Sequence, residues 1–199
     1  MKDYLSILDF WFGDRGSNLE IIKDKSKLWW KKVSSFDEEI QQKFGRMMEA
    51  MNKGELNEWC ETAQGRLAMI ILADQFSRNI YRDLPASFAN DDLALSLAKA
   101  GIKSGMDKEL SLIEREFFYM PLMHAESLAE QEMAVKLFSE LVNEADEEEK
   151  KSFRSNLNFA VKHRNIIKRF GRFPHRNKIL GRKSASEEIE FLKTPGSSF

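Results

Sequence analysis

The apolar residues of this chain recur at intervals of three and four rather than alternating, and only ten glycines and four prolines punctuate them. A period near 3.6 fits amphipathic helices and leaves no stretch that reads as a strand. The expected fold class is therefore all-α, with about eight or nine helices. Tyr4 to Phe12 reads as a short amphipathic helix stopped by Gly13, after which a polar loop leads to a short Trp29-Trp30 segment. Ser35-Phe36-Asp37-Glu38 has the form of a capping box, opening a helix that Gly54 ends. Further helices are predicted over residues 62–79, 91–105, 110–120, 127–145 and 147–170, the second of them capped by Asn90-Asp91-Asp92. Pro121 predicts an end or a kink, and Ser184-Ala185-Ser186-Glu187 opens a last helix that ends at Pro195. Short connections imply stacked antiparallel hairpins, because one amphipathic helix cannot bury its stripe alone.

A chain of 199 residues with 42% apolar content can bury a substantial core, which argues for one domain over residues 1–199 and against disorder. The formal charge of −1 excludes a globally basic nucleic-acid binder, but it conceals two opposed blocks. Residues 150–186 hold twelve Lys/Arg and no acid, which leaves −13 on the remainder. Cys60 is the single cysteine, so no intramolecular disulfide or cysteine-based zinc site can form, as suits a cytoplasmic protein. Asp3 and Asp9 interrupt any apolar leader. The longest apolar runs, such as residues 67–73, fall far short of the roughly 20 residues a membrane-spanning helix needs, so no membrane partner is expected.

The densest apolar run, Leu67-Ala68-Met69-Ile70-Ile71-Leu72-Ala73, leads into Asp74-Gln75-Phe76-Ser77-Arg78-Asn79. Its apolar residues cover nearly the whole circumference, which predicts a central helix. Asp74 and Arg78, four apart, share one face at its end. Charges buried there need each other or a ligand, so they form either a structural ion pair or a pocket wall. A second constellation runs from Glu114-Arg115 to His124-Ala125-Glu126, around a core stripe of Leu110, Ile113, Phe117 and Met120. Beyond Pro121, a helix terminus can aim His124 and Glu126 into a cleft. His-x-Glu without a third ligand is no metal signature, and neither HExxH nor HxxxH occurs, so no metal is expected. No phosphate loop, dinucleotide fingerprint or nucleophile elbow is present, and no cofactor is expected.

The basic block supplies a third constellation. Phe159, His163, Ile166 and Phe170 share a helix face, which makes His163 either a satisfied core histidine or, beside a carboxylate, a general base. After Gly171, the residues Arg172, His175, Arg176, Asn177 and Arg182 occupy a loop stiffened by Pro174, the kind of segment where binding residues concentrate. Arginine forks match carboxylate and phosphate oxygens. The Arg-Asn pairs at 78-79, 164-165 and 176-177 add amide groups, so a small anionic molecule is the natural ligand. The bland alternative is that these cations answer the acidic excess as internal ion pairs. Inward Phe159 and Phe170, with a pI near 6.4, argue against nucleic acid.

Four stretches resemble the bacterial DUF924 proteins, a family of unknown function. They are Ile7-Leu8-Asp9-Phe10-Trp11-Phe12-Gly13; Gly65-Arg66-Leu67 through Asp74-Gln75-Phe76-Ser77-Arg78-Asn79-Ile80-Tyr81; Glu114-Arg115 through Tyr119-Met120-Pro121-Leu122-Met123-His124-Ala125-Glu126; and Arg169-Phe170-Gly171-Arg172-Phe173-Pro174-His175-Arg176-Asn177 with Leu180-Gly181-Arg182. The tail Thr194-Pro195-Gly196-Ser197-Ser198-Phe199 fits as well, so the resemblance covers essentially the whole chain. Ser77 departs from it, standing where the family pattern has Pro, and eases a helix past Phe76. The resemblance implies a tetratricopeptide-like stack of helical hairpins and supplies no activity, substrate or catalytic residue.

The combined expectation is a polar pocket. Its catalytic candidates are His163, His124, Glu126 and Asp74; its ligand-binding candidates are Arg78, Asn79, Glu114, Arg115, Arg169, Arg172, His175, Arg176 and Asn177. The occupant is a small anionic molecule or, alternatively, an acidic peptide or C-terminal carboxylate bound without catalysis. A closed pocket of a few hundred cubic ångströms favours the first and an open groove the second. A homo-oligomer is compatible with either.

Overall fold

The computed structural model describes residues 3–13 and 16–198; Met1, Lys2 and the tail residue Phe199 lie outside the described residues. All regular structure among these is helical: α1 (Tyr4–Phe12), α2 (Asn18–Trp30), α3 (Ser34–Asn52), α4 (Ala63–Ile70), α5 (Ser77–Ile80), α6 (Asp91–Ser104), α7 (Leu112–His124), α8 (Leu128–Glu144), α9 (Lys150–Phe170) and α10 (Ser186–Phe191), with short 3₁₀ turns between some of them. A π-helical turn over Ile71–Phe76 joins α4 to α5 without a break, so the two form one rod. No helix among the described residues is long and apolar enough to cross a membrane.

The rod is the centre of the molecule. From Leu67 to Ala73 no residue is more than 1% exposed, as its all-round apolar pattern requires. Thr62 starts it, its Oγ1 accepting the Gly65 N–H at 3.1 Å. Only glycine fits at 65, because a Cβ there would stand 2.2 Å from the Trp59 carbonyl oxygen. The buried helix α1 lays Trp11 edge-on against Phe76, ring centres 5.5 Å apart, and Trp29 of α2 donates its indole N–H to the Trp11 carbonyl at 3.1 Å. Such aromatic pairs add about 0.5–1.5 kcal/mol beyond the area they bury. They fix the rod just below Asp74.

Helix α8 packs between α7 and α9, and the short connections make sequential neighbours antiparallel. Gln131, fully buried on α8, donates through Nε2 to the carbonyls of Met123 at 2.6 Å and Ala125 at 2.8 Å. It thereby satisfies the end of α7 and pins the α7–α8 turn. After α9, Gly171 adopts φ +70° and the chain turns back over that same junction.

Local expectations fail where tertiary contacts outweigh them. The stretch read as a polar loop is α2, opened by a capping box in which the Ser17 N–H donates to Glu20 Oε2 at 2.8 Å and the Glu20 N–H to Ser17 Oγ at 3.4 Å. It buries only Ile21 fully, so its apolar period is faint. Helix α3 has Val33 rather than Ser35 as its N-cap, a residue with no side-chain acceptor, and so lacks the expected capping box; Asp37 in its first turn accepts from Arg82 and Asn79. Helix α7 runs straight through Pro121: nearly all of its residues from Ile113 to Met123 are buried, and that packing outweighs one lost hydrogen bond. Phe159, read as inward, is 45% exposed.

Candidate functional site

The π-helical turn carries two consecutive buried polar residues, Asp74 and Gln75. A π turn inserts one extra residue into a helix, and such turns are frequent at functional sites. Here it sets Asp74 among three donors. Asp74 Oδ1 accepts from Arg78 Nη1 at 2.9 Å and lies 2.7 Å from His124 Nδ1, while Oδ2 accepts from Gln75 Nε2 at 2.6 Å. Arg78 reaches across to Asp91 at the start of α6, Nη2 to Oδ2 at 3.1 Å.

Arg176 enters from the returning C-terminal segment. Its Nη1 donates to the same Asp91 Oδ2 at 3.1 Å and its Nη2 to the His124 carbonyl at 3.0 Å. The guanidinium lies between two rings, 4.6 Å from the centres of both Phe88 and Phe173. Glu126 clasps the segment in place, accepting the Phe173 N–H at 2.7 Å and Arg182 Nη1 at 2.6 Å.

Burial works against the Asp74 carboxylate, but Arg78 and His124 more than offset it and hold the group below the usual range. In His124 burial prevails over the attraction of Asp74 and lowers the imidazole's affinity for a proton. Burial, then the neighbouring Arg78 cation, bring Arg176 down to about 10. Near neutral pH the site thus pairs an ionised carboxylate with an uncharged imidazole beside charged guanidinium groups. Against this arrangement lies a cleft of about 420 Å³. Apolar Pro85, Phe88, Leu95, Pro121 and Leu180 line it together with polar Asp91, Asp92, His124, Glu126, Ser127 and Arg176.

The structure therefore brings together Asp74, Arg78, His124, Glu126 and Arg176. His163 stands behind the wall: its ring centre is 6.2 Å from that of His124 and its Nδ1 is 2.8 Å from the Phe159 carbonyl. Burial first, then His124, lower His163 to about 3. His175 packs beside Phe173, ring centres 5.6 Å apart, and burial followed by Arg176 takes it to about 4.

Six candidates do not converge here, because each finds a nearer partner. Asn79 donates to Asp37 at 2.7 Å. Glu114 accepts the Ser111 N–H and hydroxyl, both at 2.9 Å, as the capping box of α7. Arg115 is paired with Glu144 and donates to the Tyr119 hydroxyl at 3.2 Å, about 14 Å along α7 from His124 at 1.5 Å per residue. Arg169 covers the Phe170 ring at 4.6 Å. Arg172 and Asn177 donate to Glu188 at 2.7 and 3.2 Å. Sequence reasoning also assigned Asp91 only to helix capping, and had no signal for Phe88, whose role depends on where Arg176 arrives. Among the described residues no group of three or more His, Cys, Asp or Glu is placed to hold a metal ion.

A solved protein of unknown function from Agrobacterium tumefaciens has the same fold, with a TM-score of 0.81 and 35% sequence identity over 96% of each chain. No protein of curated function matches. Residues 7–196 match the model of a family described as bacterial protein of unknown function, and with the fold shared along nearly its whole length, this chain belongs to the DUF924 family.

Proposed function

We propose that the cleft binds a small anionic molecule, with Arg176 holding the negative group and His124, backed by Asp74, accepting a proton from the ligand. One observation carries this reading: an uncharged imidazole on the cleft wall has its Nδ1 fixed against an ionised, buried carboxylate. Nδ1–H donates to Asp74, which leaves the Nε2 lone pair for the ligand, and Asp74 stabilises the imidazolium that would form. A general base so placed contributes about 10²–10⁴-fold to a proton transfer.

Arg78, Arg176 and Arg182 are matched by Asp74, Asp91 and Glu126, as a purely structural network also requires. Two features favour a ligand: the network borders a cleft within the 300–1,000 Å³ range of small-molecule sites, and the buried Arg176 Nε–H has no hydrogen-bond partner among the described residues. The second reading, a tetratricopeptide-like module receiving an acidic peptide, would use a longer open groove. A cytoplasmic setting accords with the lone Cys60.

A thermal-shift screen of small carboxylates and phosphates, repeated on Arg176→Ala, tests the proposal. A ligand at a hundred times its Kd stabilises by about 2.7 kcal/mol, and the variant should lose that gain. No shift with any anion, or a shift that survives the substitution unchanged, refutes the assignment.

A further inference from the structure

The basic block of the sequence has a place in the fold that the cleft does not use. Helix α9 packs on α8 with Phe153, Ala160, His163, Ile166 and Ile167 buried. Its other face carries Lys151, Arg154, Asn158, Lys162, Asn165 and Arg169, all exposed and spaced at steps of three and four, which aligns them in one stripe about 27 Å long at 1.5 Å per residue. Phe159, 45% exposed, and Lys168 flank it. We infer that this stripe docks single-stranded nucleic acid, its cations following the phosphates and Phe159 taking a base onto its ring.

Residues 150–186 contain no Asp or Glu. Beside the stripe, Lys150 pairs with Glu147 and Arg164 with Glu132, whereas Lys151, Arg154, Lys162, Lys168 and Arg169 stand in no salt bridge among the described residues. Acids approach at the two ends, where Glu147 acts on Arg154 through its charge and Glu187 lines a cleft with Arg169. Unmatched cations held in line on a rigid helix are the electrostatic footprint of a nucleic-acid surface, because each phosphate they neutralise releases a counterion.

Two reasons stood against nucleic acid, an inward Phe159 and a pI near 6.4. The structure turns Phe159 outward. The pI averages the twelve cations of residues 150–186 with the −13 carried elsewhere, and the field at a surface is set by the charges on that face. Lys162 Nζ lies 5.2 Å from the centre of the Phe159 ring, so a base stacked there has a cation beside it for its phosphate.

The mixture of side chains selects among polyanions. Asn158 and Asn165 add amides that donate to phosphates or to base edges, and an exposed ring among cations suits an unpaired base. A duplex keeps its bases stacked on one another and leaves the ring without one. A lipid surface calls for apolar residues along the whole stripe, where α9 has a single ring among amides.

Fluorescence anisotropy of the full chain with a labelled oligothymidylate of about twelve nucleotides tests the inference. Affinity should fall with salt, at a log–log slope between about −2 and −3.5 for up to five phosphates. Lys162→Glu combined with Lys168→Glu should abolish binding, and Phe159→Ala should weaken it about tenfold at constant salt without changing the slope. Circular dichroism checks that these exposed substitutions leave the fold intact. A duplex of the same length, and vesicles with about a third phosphatidylserine, should bind several-fold more weakly. No binding of the oligonucleotide, affinity unaltered by the double substitution or by Phe159→Ala, or a duplex or vesicle bound as tightly as the single strand overturns the inference. None of these residues lines the cleft, so the anion site stands or falls separately.

Discussion

His124 Nδ1 lies 2.7 Å from Asp74 Oδ1 although the two residues are fifty positions apart. They meet because the Trp11–Phe76 contact holds the rod close to Asp74, and because α7 does not stop at Pro121. The extra residues of α7 carry the imidazole to the carboxylate, which the Ile71–Phe76 turn directs inward. Core packing and site geometry are thus set by the same contacts.

Replacing Asp74 by Asn should cost about 3–5 kcal/mol in urea unfolding, because it leaves Arg78 buried with one counter-charge fewer. The folded-state affinity of Asp74 for protons is depressed below the ordinary 3.8. Its stabilisation is therefore present above pH 3.8 and lost as the pH falls further, and the Asn variant should lack that component of acid unfolding. Nitrogen-15 NMR should find the His124 proton on Nδ1 in the unaltered chain. An identical acid-unfolding slope in both proteins would contradict the pairing.

Glu116 predicts the opposite pH dependence. It is 1% exposed on α7 and its Oε2 has no hydrogen-bond partner among the described residues; burial, only partly offset by Asn156, raises its carboxyl from 4.5 to about 8. The folded chain holds this proton where the unfolded chain has released it, so stability is greatest below pH 4.5 and declines as the pH rises toward 8. Glu116→Gln keeps the shape without the titration. Relative to the variant, the unaltered chain should lose roughly 3–5 kcal/mol across that interval, measured by urea unfolding at both ends. Parallel pH profiles would show that Glu116 ionises normally.

Tyr119→Phe should destabilise by about 1–3 kcal/mol. The hydroxyl donates to Asp107 Oδ2 at 2.5 Å and accepts from Arg115 Nε at 3.2 Å, and Asp107 is 2% exposed. Losing it leaves a buried carboxylate without that donor. The loss should be smaller when Asp107 is already Asn, and a double-mutant cycle with no coupling would rule out the contact as the cause.

Gly65→Ala should lower stability by about 1–3 kcal/mol or more. The added methyl meets the Trp59 carbonyl oxygen at 2.2 Å and its carbon at 2.9 Å, and these backbone atoms cannot swing aside as a side chain would. Elsewhere in a helix interior the same change gains up to about 1 kcal/mol. A stabilised variant in chemical denaturation would therefore refute the close approach.

Much of the helical plan is visible in local pattern. Gly13 and Gly105 end α1 and α6 where the sequence places them, and the all-round apolar run from Leu67 to Ala73 is the buried rod. The pattern misleads where burial is one-sided or weak, as for α2, or where a proline lies in a helix enclosed by neighbours, as for α7. In the candidate site, the Asp74–Arg78 spacing and the position of His124 point to residues that the structure brings together. The same density of charge draws attention to Arg115, Arg172 and Asn177, whose partners lie elsewhere.

The sequence alone determines that this chain is helical and that the helix predicted over residues 62–79 is central, because both depend on the periodicity of neighbouring residues. Only the tertiary structure decides which charges share a cleft. An Asp91–Arg176 pair spans 85 positions, and its formation depends on where Gly171 turns the chain and on Phe88 and Phe173 enclosing the guanidinium. Pairing energies fall steeply with distance and rise with burial, and both are properties of the packed molecule.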